Sequence, residues 1–349
     1  MTQPPTVLLI GCGRWGQNWA NTLFDLNALA GICDPRPEIV ALANERWPGV
    51  PVYPRLEIAL LNSTASACVV ATPAETHLET ASHCMQAHKA VLVEKPLALT
   101  ENDAQAMLTL AKAQDVTLAV GHLLLYHSGF MALKEQIEAG VLGDIRSIHC
   151  TRMNLGTVRN EENVWWSFAP HDLSLLVWLL DGVPLQTVSA TGHALLGRPQ
   201  LPDRVEASFQ SADQSTDRHV SASIHTSWYH PIKRHETIVV GTKAIAVLED
   251  TLQPEEKLKI LPVQADWKQE QVTGLNKQSW QSIPLEAAPP LTQQAKAFLA
   301  AVPNGWVGGE SLPNSGQNGL AVVQLLAQTQ ALLSATVPTH PAVGEALAV

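Results

Sequence analysis

The sequence of 349 residues has no run of basic residues and no basic stretch interleaved with aromatic side chains. Its formal net charge is -10, because 22 lysine and arginine residues stand against 32 aspartate and glutamate residues. This balance argues against nucleic acid as a partner. An acidic chain that binds an anionic ligand must do so locally, through backbone amides and a few well-placed cations.

Long apolar runs and cysteine motifs are also missing. No apolar run approaches the roughly 20 residues that a membrane-spanning helix needs, so we expect no membrane insertion. The N-terminus has no charged segment followed by a long apolar stretch, and no signal peptide is evident. The five cysteines lie at least sixteen residues apart, a spacing that fits no zinc or redox motif. We therefore expect a reduced, cytoplasmic protein without a metal.

The most informative pattern lies in the first thirty-four residues. An apolar run from Thr6 to Ile10 leads directly into the motif Gly11–Gly16, which reads GCGRWG. A second apolar run ends in Asp34, eighteen residues after the last glycine. Strand, glycine turn, helix, strand and acid are the successive parts of a dinucleotide-binding βαβ unit. A tight turn followed by an incidental acid is the alternative.

Each part of this pattern has a physical role. Gly11 allows a tight turn, Gly13 lets a pyrophosphate approach the backbone, and Gly16 lets the helix lie close to the sheet. The helix N-terminus offers N–H groups to the phosphates. Asp34 can accept hydrogen bonds from a ribose and repels a 2′-phosphate. We therefore predict NAD as the cofactor, with Arg36 as the one residue that could favour NADP.

Apolar patterning divides the chain into two domains, residues 1–122 and 123–349. In the first, short apolar runs alternate with helical segments, which predicts a doubly wound parallel sheet of the Rossmann type. The runs are 6–10, 28–33, 67–71, 90–93 and 116–120. In the second, alternating segments predict a large, open, mostly antiparallel sheet. Those segments are 145–152, 185–193, 204–212, 218–228, 236–241, 244–249 and 257–262.

Helices are predicted between and after these strands. The first runs over 129–140, and a second interrupts the antiparallel strands from Pro170 to Leu180. The polar stretch 262–290 is expected to be a loop with one short strand. Two closing helices near 292–302, capped by Thr292, and 315–336 could pack back on the first domain. The tail from Pro338 is expected to be loosely held.

Three polar clusters follow successive strands of the first domain: Thr72-Pro73 with His77, then Glu94-Lys95-Pro96, then Gly121-His122. Together with the glycine turn they make the chain resemble the glucose–fructose oxidoreductase/inositol dehydrogenase (Gfo/Idh/MocA) family over nearly its whole length. The resemblance implies an NAD-dependent oxidoreductase and a cis Lys95–Pro96 peptide bond. It also implies a cofactor site formed by Gly11, Gly13, Arg14, Trp15, Gly16, Asp34, Arg36, Thr72, Pro73, His77, Glu94, Lys95 and His122.

The resemblance assigns the chemistry to two residues. Lys95 would contact the nicotinamide ribose and the reacting hydroxyl, and His171 would act as the base. The family usually has an aspartate four residues before this histidine, and here Ser167 replaces it. Asp172 could compensate for that loss. A surface lysine and a histidine at a helix start are the alternatives that the residues alone leave open.

The stretch Asn154–Trp166 resembles the branch of the family that acts on sugar nucleotides. It implies oxidation at C3 of UDP-linked N-acetylglucosamine, or of its uronic acid, with a ketone that passes to an aminotransferase in lipid A or surface-polysaccharide synthesis. A free-sugar or inositol dehydrogenase and a non-catalytic NAD sensor are the alternatives. A homodimer or homotetramer through the open sheet is expected by analogy. The predicted substrate contacts are Lys95, Tyr126, His127, Arg152, Asn154, Arg159, Asn163, Trp165, His171 and Asp172.

Overall fold

The computed structural model describes residues 4–198, 200–212, 219–268, 271–306 and 312–336. Within these ranges the chain forms two sheets that follow one another in sequence. The tail from Pro338, predicted to be loosely held, lies outside the described residues.

The first sheet has six parallel strands in the order β3-β2-β1-β4-β5-β6, which confirms the predicted doubly wound fold. The strand order reverses between β1 and β4, so a crevice opens beyond their carboxyl ends. The two-residue strand β3 is too short to show as an apolar run. The strands are β1 (Val7–Ile10), β2 (Leu29–Cys33), β3 (Val52–Tyr53), β4 (Ala67–Val70), β5 (Ala90–Val93) and β6 (Leu118–Val120). The helices are α1 (Arg14–Asp25), α2 (Pro37–Arg46), α3 (Leu56–Asn62), α4 (His77–Gln86) and α5 (Glu101–Ala113).

The second sheet has the order β14-β13-β12-β11-β7-β10-β9-β8, with β15 beside β13. Among the described strands of this sheet only β7 and β10 pair in parallel, which confirms the predicted large, mostly antiparallel sheet. Its strands are β7 (Ile145–Leu155), β8 (Leu185–His193), β9 (Arg204–Ser211), β10 (Ser221–Ser227), β11 (Tyr229–Gly241), β12 (Ala244–Glu249), β13 (Leu258–Lys268), β14 (Gln271–Lys277) and β15 (Gln281–Ser282). The helices are α6 (Ser128–Glu138), α7 (Val164–Leu179), α8 (Pro254–Lys257), α9 (Pro290–Ala301) and α10 (Gly316–Thr336).

The two faces of the second sheet differ. Helices α7 and α10 lie against one face, where Trp165, Phe209 and Leu326 share an apolar core. The other face presents polar side chains, such as His149 with its hydrogen-bonded neighbours Ser147 and Ser223. One face of the second sheet is therefore covered by helices, and the other is exposed to solvent.

Helices from the end of the chain also cover the first sheet. Phe298 of α9 packs with Trp19 and Ile32 on one face of that sheet, and Val323 of α10 joins the apolar layer on the other. Ser315 forms a bridge with Ala119 in β6. The segment that carries α9 and α10 thereby reaches the edge of the candidate site.

Helix α7 begins six residues earlier than predicted, at Val164 instead of Pro170. The side chain of Asn163 caps it by accepting the N–H of Trp166 at 3.1 Å. Pro170 lies inside the helix, where it has no N–H for the carbonyl of Trp166. The prediction was wrong because proline is common in the first turn of a helix, so the helix was expected to begin at Pro170.

Two further predictions near the end of the chain were wrong. The stretch 262–290 is mostly strand, because β13 continues to Lys268 and β14 and β15 follow. Side chains on both faces of β14 are exposed, so its polar composition resembles that of a loop. Helix α9 begins at Pro290, with Pro289 rather than Thr292 at the N-cap position.

Candidate active site

The glycine turn between β1 and α1 is shaped by close backbone contacts. Gly11 has a φ of +87°, and a Cβ there would lie 2.7 Å from the carbonyl oxygen of Ala71. A Cβ on Gly16 would lie 2.1 Å from the carbonyl oxygen of Gly11. Gly13 is the N-cap of α1, where no side chain caps the helix, no acid lies in the first turn and a Cβ would meet open space. The free amides therefore fit a pyrophosphate.

Asp34, at the end of β2, forms a bidentate pair with Arg36. The guanidinium donates to both carboxylate oxygens at 2.8 and 2.7 Å, and the backbone N–H of Cys12 adds a third bond at 2.8 Å. Although burial opposes the shift, the hydrogen bonds from Arg36 and Cys12 hold the pKa of Asp34 below its ordinary value. The carboxylate is therefore ionised at neutral pH, as a ribose acceptor must be.

His77 joins the loops that follow β4 and β5. Its Nδ1 lies 2.9 Å from the carbonyl oxygen of Pro96, and its Nε2 lies 3.0 Å from that of Thr72. Burial lowers the pKa of this imidazole. Thr72 itself accepts from the hydroxyl of Thr76. His77 thus joins the loop after β4, which contains Thr72 and Pro73, to the loop after β5.

Glu94 lies behind the glycine turn. Its carboxylate accepts from the indole N–H groups of Trp15 and Trp19, and from the backbone N–H of Lys95 at 3.2 Å. Gly121 allows this position, since a Cβ there would lie 2.6 Å from a carboxylate oxygen. Burial raises the pKa of Glu94 in spite of these donors. These hydrogen bonds therefore fix the carboxylate of Glu94 at the wall of the crevice.

Lys95 reaches from the first sheet to helix α7. Its Nζ donates to the backbone carbonyl of Ser167 at 3.3 Å, and the Lys95–Pro96 peptide bond is cis, as the resemblance implied. Burial lowers the pKa of Lys95, while Glu162 and Glu94 oppose the shift. Ser167 offers the ammonium a neutral carbonyl where the family usually has a carboxylate nearby.

His171 lies one turn after Ser167 on the same helix. Its buried Nδ1 has no hydrogen-bond partner within the described part of the chain. Burial lowers its pKa well below the ordinary value, and the nearby charges of Lys95 and Arg152 lower it further. The imidazole is therefore neutral at pH 7 and can accept a proton.

His122 approaches the same place from the end of β6. Its Nδ1 lies 2.8 Å from Oδ1 of Asn318, whose amide N–H donates to the carbonyl of Ser174 in α7. Burial lowers the pKa of His122 to about 4. Its Nε2 is a second buried ring nitrogen for which the described residues offer no partner. Asn318 thereby ties the crevice of the first domain to the helix that carries His171.

Arg152 and Asp172 form a buried bidentate ion pair. The guanidinium donates to both oxygens of the carboxylate at 2.9 and 2.7 Å. Both oxygens of Asp172 therefore have a partner within the protein, and its compensation for the missing aspartate stays a prediction. The charge of Arg152 lowers the pKa of His171 further and also acts on His235, whose pKa burial lowers to about 4.

Several predicted substrate contacts have other partners. The side chain of Trp165 is fully buried in the core and its N–H donates to the carbonyl of Leu326, so the structure does not bring it to the site. Asn163 is the cap of α7 and also donates to Gln330. Tyr126 donates to Asn314 at 2.6 Å, and His127 pairs with Asp250 at 3.0 Å.

Two other predicted contacts, Asn154 and Arg159, differ in their partners. Asn154, near the end of β7, has a buried Oδ1 for which the described chain offers no hydrogen-bond partner. Arg159 is half-exposed and pairs with Glu162 at 3.0 Å. Asn154 is the penultimate residue of β7, and Arg159 lies in the segment between β7 and α7.

Sequence reasoning missed Asn318. Asn318 gave no local signal, because 196 residues separate it from His122.

Within the described ranges, no helix has the length and apolar content to cross a membrane. Nor does any group of three or more histidine, cysteine, aspartate or glutamate side chains there have an arrangement that could hold a metal ion. The cysteines are all buried and free.

Known proteins share both domains. The Gfo/Idh/MocA model described as an oxidoreductase family with an NAD-binding Rossmann fold matches residues 6–122, and the Gfo/Idh/MocA C-terminal domain matches residues 130–247. UDP-N-acetylglucosamine 3-dehydrogenase of Acidithiobacillus ferrooxidans is 29% identical over 189 residues, 53% of this chain and 57% of that protein. Inositol 2-dehydrogenase 1 of Saccharopolyspora erythraea is 26% identical over 208 residues, 58% of this chain and 61% of that protein. The chain spans about half to three fifths of the length of such curated relatives.

Solved structures share the fold over nearly the whole chain. The structure of the Acidithiobacillus ferrooxidans enzyme has a TM-score of 0.78 at 21% identity and covers 95% of this chain and 98% of that one. WlbA dehydrogenase from Bordetella pertussis, in complex with NADH and UDP-GlcNAcA, has a TM-score of 0.72 at 20% identity and covers 95% of this chain and 97% of that one. Because the two family models match more than half of its length, the chain belongs to the Gfo/Idh/MocA oxidoreductase family and begins with that family's NAD-binding Rossmann domain.

Proposed function

We propose that the protein catalyses NAD-dependent oxidation of the C3 hydroxyl of a UDP-linked N-acetylhexosamine to the 3-keto sugar. The observation that carries this proposal is that Lys95 bonds to the helix that carries His171. Lys95 Nζ donates to the carbonyl one turn before His171, whose Nδ1 is buried and unpartnered among the described residues. A cationic donor and a neutral base side by side are what an alcohol oxidation requires.

The two residues divide the work. His171 takes the proton of the hydroxyl, because its low pKa keeps the imidazole neutral at pH 7. A positioned general base contributes about 10² to 10⁴ in rate. Lys95 donates to the same oxygen and stabilises the negative charge that develops on it. The carbon loses a hydride as the oxygen loses its proton, so the products are the ketone, NADH and one proton.

NAD fits the residues at the crevice and supplies the acceptor for that hydride. Its pyrophosphate would meet the free amides at Gly13 and the start of α1, beside Arg14 and Trp15. Asp34 would hold the adenosine ribose, with Arg36 adjacent. The loop residues Thr72 and His122 would border the nicotinamide half.

The sugar nucleotide would lie against the second domain. Asn154 offers an unpartnered amide oxygen to a sugar hydroxyl or acetamido N–H, and Arg159 offers a half-exposed cation to the diphosphate or to a C6 carboxylate. Support for this substrate class comes from the relative that acts on UDP-N-acetylglucosamine and from the fold of the WlbA complex. An inositol or free sugar is the competing substrate, since an inositol 2-dehydrogenase matches over a similar length.

Three further features belong to this proposal. The ketone product would serve an aminotransferase, because an amine at C3 requires a C3 ketone. The open polar face of the second sheet would mediate a homodimer or homotetramer. A cytoplasmic location agrees with five buried cysteines, all of them free thiols.

A substrate panel tests the function. The purified chain and NAD⁺ would be assayed at 340 nm with UDP-N-acetylglucosamine, its uronic acid, UDP-glucose, free N-acetylglucosamine and myo-inositol. We expect kcat/KM at least tenfold higher for one of the UDP-linked N-acetyl sugars, and NMR of the product should place the ketone at C3. Faster turnover of inositol or a free sugar would replace the proposed substrate. Intact NAD binding without NADH formation on any of the five would point to a sensor.

A further inference from the structure

The two ring nitrogens of His122, just after β6, have different surroundings. The residue is fully buried, and its backbone N–H donates to the carbonyl of Val120 at 2.7 Å. Nδ1 of the ring lies 2.8 Å from Oδ1 of Asn318. Nε2 is equally shielded from water, yet the described part of the chain offers it no hydrogen-bond partner. A buried polar atom without a partner costs free energy, so its presence requires an explanation.

The side-chain amide of Asn318 has one orientation that suits both of its neighbours. Its Nδ2 lies 3.2 Å from the backbone carbonyl of Ser174 in α7, and a carbonyl can only accept a hydrogen bond. The amide nitrogen must therefore face Ser174, and the amide oxygen must face His122. Because that oxygen can also only accept, Nδ1 of His122 must carry the proton.

A proton on Nδ1 determines the state of Nε2. Burial lowers the pKa of His122 to about 4, so the ring has a single proton at pH 7. With that proton on Nδ1, Nε2 keeps a lone pair and can only accept a hydrogen bond. The group that satisfies Nε2 must therefore bring an N–H or O–H donor directly against the ring.

The start of helix α10 is attached to β6, which holds Asn318 in this position. Asn318 is 6% exposed, and its backbone N–H lies 3.4 Å from the hydroxyl of Ser315. Ser315 in turn forms a bridge with Ala119 in β6. The side chain of Asn314 donates to the carbonyl of Val120 at 2.6 Å. The amide of Asn318 is thus anchored through both its helix and the strand that leads to His122.

The place of His122 in the first sheet indicates which ligand brings the donor. Asp34, which fits the adenosine ribose, follows β2, whereas His122 follows β6 at the sheet edge beyond the switch point between β1 and β4. A dinucleotide that crosses the crevice from β2 therefore brings its nicotinamide half toward His122. The resemblance assigns the nicotinamide ribose to Lys95. The carboxamide of the nicotinamide remains as the source of N–H donors.

We propose that Asn318 fixes His122 in the Nδ1–H tautomer, and that Nε2 then accepts a hydrogen bond from the carboxamide N–H of NAD. His122 is thus a cofactor-binding residue that only accepts, and Asn318 is a positioning residue that acts through it. Asn318 also bonds to the helix that carries His171, so the same amide joins the nicotinamide end of the crevice to the proposed base. The inference rests on NAD as the cofactor and does not depend on which sugar is oxidised.

The tautomer can be observed in the free protein. The full chain, with histidine labelled with nitrogen-15, would be measured at pH 7 by long-range NMR that distinguishes protonated from unprotonated ring nitrogens. The signals of His122 are those missing from His122→Phe. We expect a protonated Nδ1 and an unprotonated Nε2, and a measurable fraction with the proton on Nε2 in Asn318→Ala. A protonated Nε2 in the unaltered chain would overturn the inference.

The carboxamide is tested with a matched pair of dinucleotides. Acetylpyridine adenine dinucleotide has a methyl ketone in place of the carboxamide, so it keeps the carbonyl and lacks the N–H donors. By calorimetry we expect its Kd to exceed that of NAD⁺ by about three- to tenfold in the unaltered chain, as for the loss of one neutral hydrogen bond. The ratio of the two Kd values should fall to about one in His122→Phe and should decrease in Asn318→Ala.

Asn314→Ala is the control for these measurements, because Asn314 also fixes the start of α10 but bonds to Val120 and Tyr126. It should leave the tautomer and the ratio of Kd values unchanged. Equal effects of Asn314→Ala and Asn318→Ala would indicate a loosened helix and overturn the role of Asn318. Equal affinity of the unaltered chain for the two dinucleotides, the result expected if a ribose or sugar hydroxyl is the donor, would overturn the carboxamide contact.

Discussion

Lys95 and His171 come from different domains, so their substitutions should separate binding from chemistry. We expect His171→Ala to lower kcat by at least about a hundredfold with little change in NAD affinity, because the base faces the sugar. Lys95→Ala should lower kcat and also weaken NAD binding. Steady-state kinetics and NAD titration measure both effects.

The control for that pair is His83→Ala, a histidine of α4 remote from the crevice, which should keep normal kinetics. The low pKa of His171 also predicts the pH profile of the reaction. Because the imidazole should stay neutral below pH 6.5, the acid limb of kcat/KM should lie below that value. Near-normal turnover in His171→Ala would mean that another group removes the proton.

Asp34 and Arg36 together decide the cofactor. We expect Asp34→Ser to shift the ratio of kcat/KM for NADP⁺ over NAD⁺ at least tenfold toward NADP⁺. The change removes a carboxylate that repels a 2′-phosphate and frees the guanidinium that it holds at 2.7 Å. The double variant with Arg36→Ala should lose most of that gain. A wild-type enzyme that already prefers NADP⁺ would contradict the role given to Asp34.

At the scale of the element, helix α7 begins at a side-chain cap whose removal should affect both stability and turnover. Asn163→Ala should lower the free energy of unfolding by about 1 kcal/mol, the usual cost of a lost N-cap. Because the helix carries His171, kcat should fall too. Denaturant unfolding and kinetics at saturating substrate test the two effects.

Thr100→Ala provides the comparison, since Thr100 caps α5 by accepting the N–H of Asp103 at 3.1 Å. It should cost similar stability and leave kcat unchanged. If Asn163 contacts the sugar, Asn163→Asp will keep the cap yet raise KM. An unchanged KM in that variant would confine Asn163 to its structural role.

Elements with a regular pattern were predictable in detail. Strands β8 and β12 have the bounds that the sequence predicts, and burial alternates along β12 as in a sheet with one covered face. The start of α7 was not predictable from Pro170, since a proline stands both in first turns and, at a cost, inside helices. The exposed strand β14 was not predicted, because its polar composition is typical of a loop.

In the candidate site, too, some features could be predicted from the sequence and others could not. The glycine turn, Lys95 and His171 belong to short motifs that follow strands or begin helices, so local sequence identifies them. The partners that tune them are distant in sequence: Asn318 bonds to His122, and the Arg152–Asp172 pair joins β7 to α7. Such contacts depend on how two sheets and the final helix pack together, which no local pattern encodes.

At the scale of the whole molecule, buried histidines should make stability depend on pH. Burial lowers the pKa of His122 and of His235 to about 4, against about 6.5 in an unfolded chain. Between these values the unfolded chain binds more protons than the folded one. The stabilisation that depends on these two histidines being neutral should therefore be complete above about pH 6.5. The free energy of unfolding should fall as the pH drops toward 4.

Denaturant unfolding at intervals from pH 7 to pH 4.5 measures this slope. His122→Asn should be less stable than the wild type at pH 7, and the gap should narrow as the pH falls. His149→Asn, on the open face of the second sheet, should give a curve parallel to that of the wild type. A constant gap for His122→Asn would show that its burial does not contribute to the acid sensitivity.

Phe298 of α9 and Val323 of α10 complete the apolar layers on the two faces of the first sheet. A ribosome releases residues in order, so all six strands of that sheet emerge long before either helix. Until then, part of both layers faces water or a chaperone instead of its final neighbours. During synthesis the first domain is therefore prone to aggregation. Its apolar layers are completed by α9 and α10 only after the whole second sheet has been made.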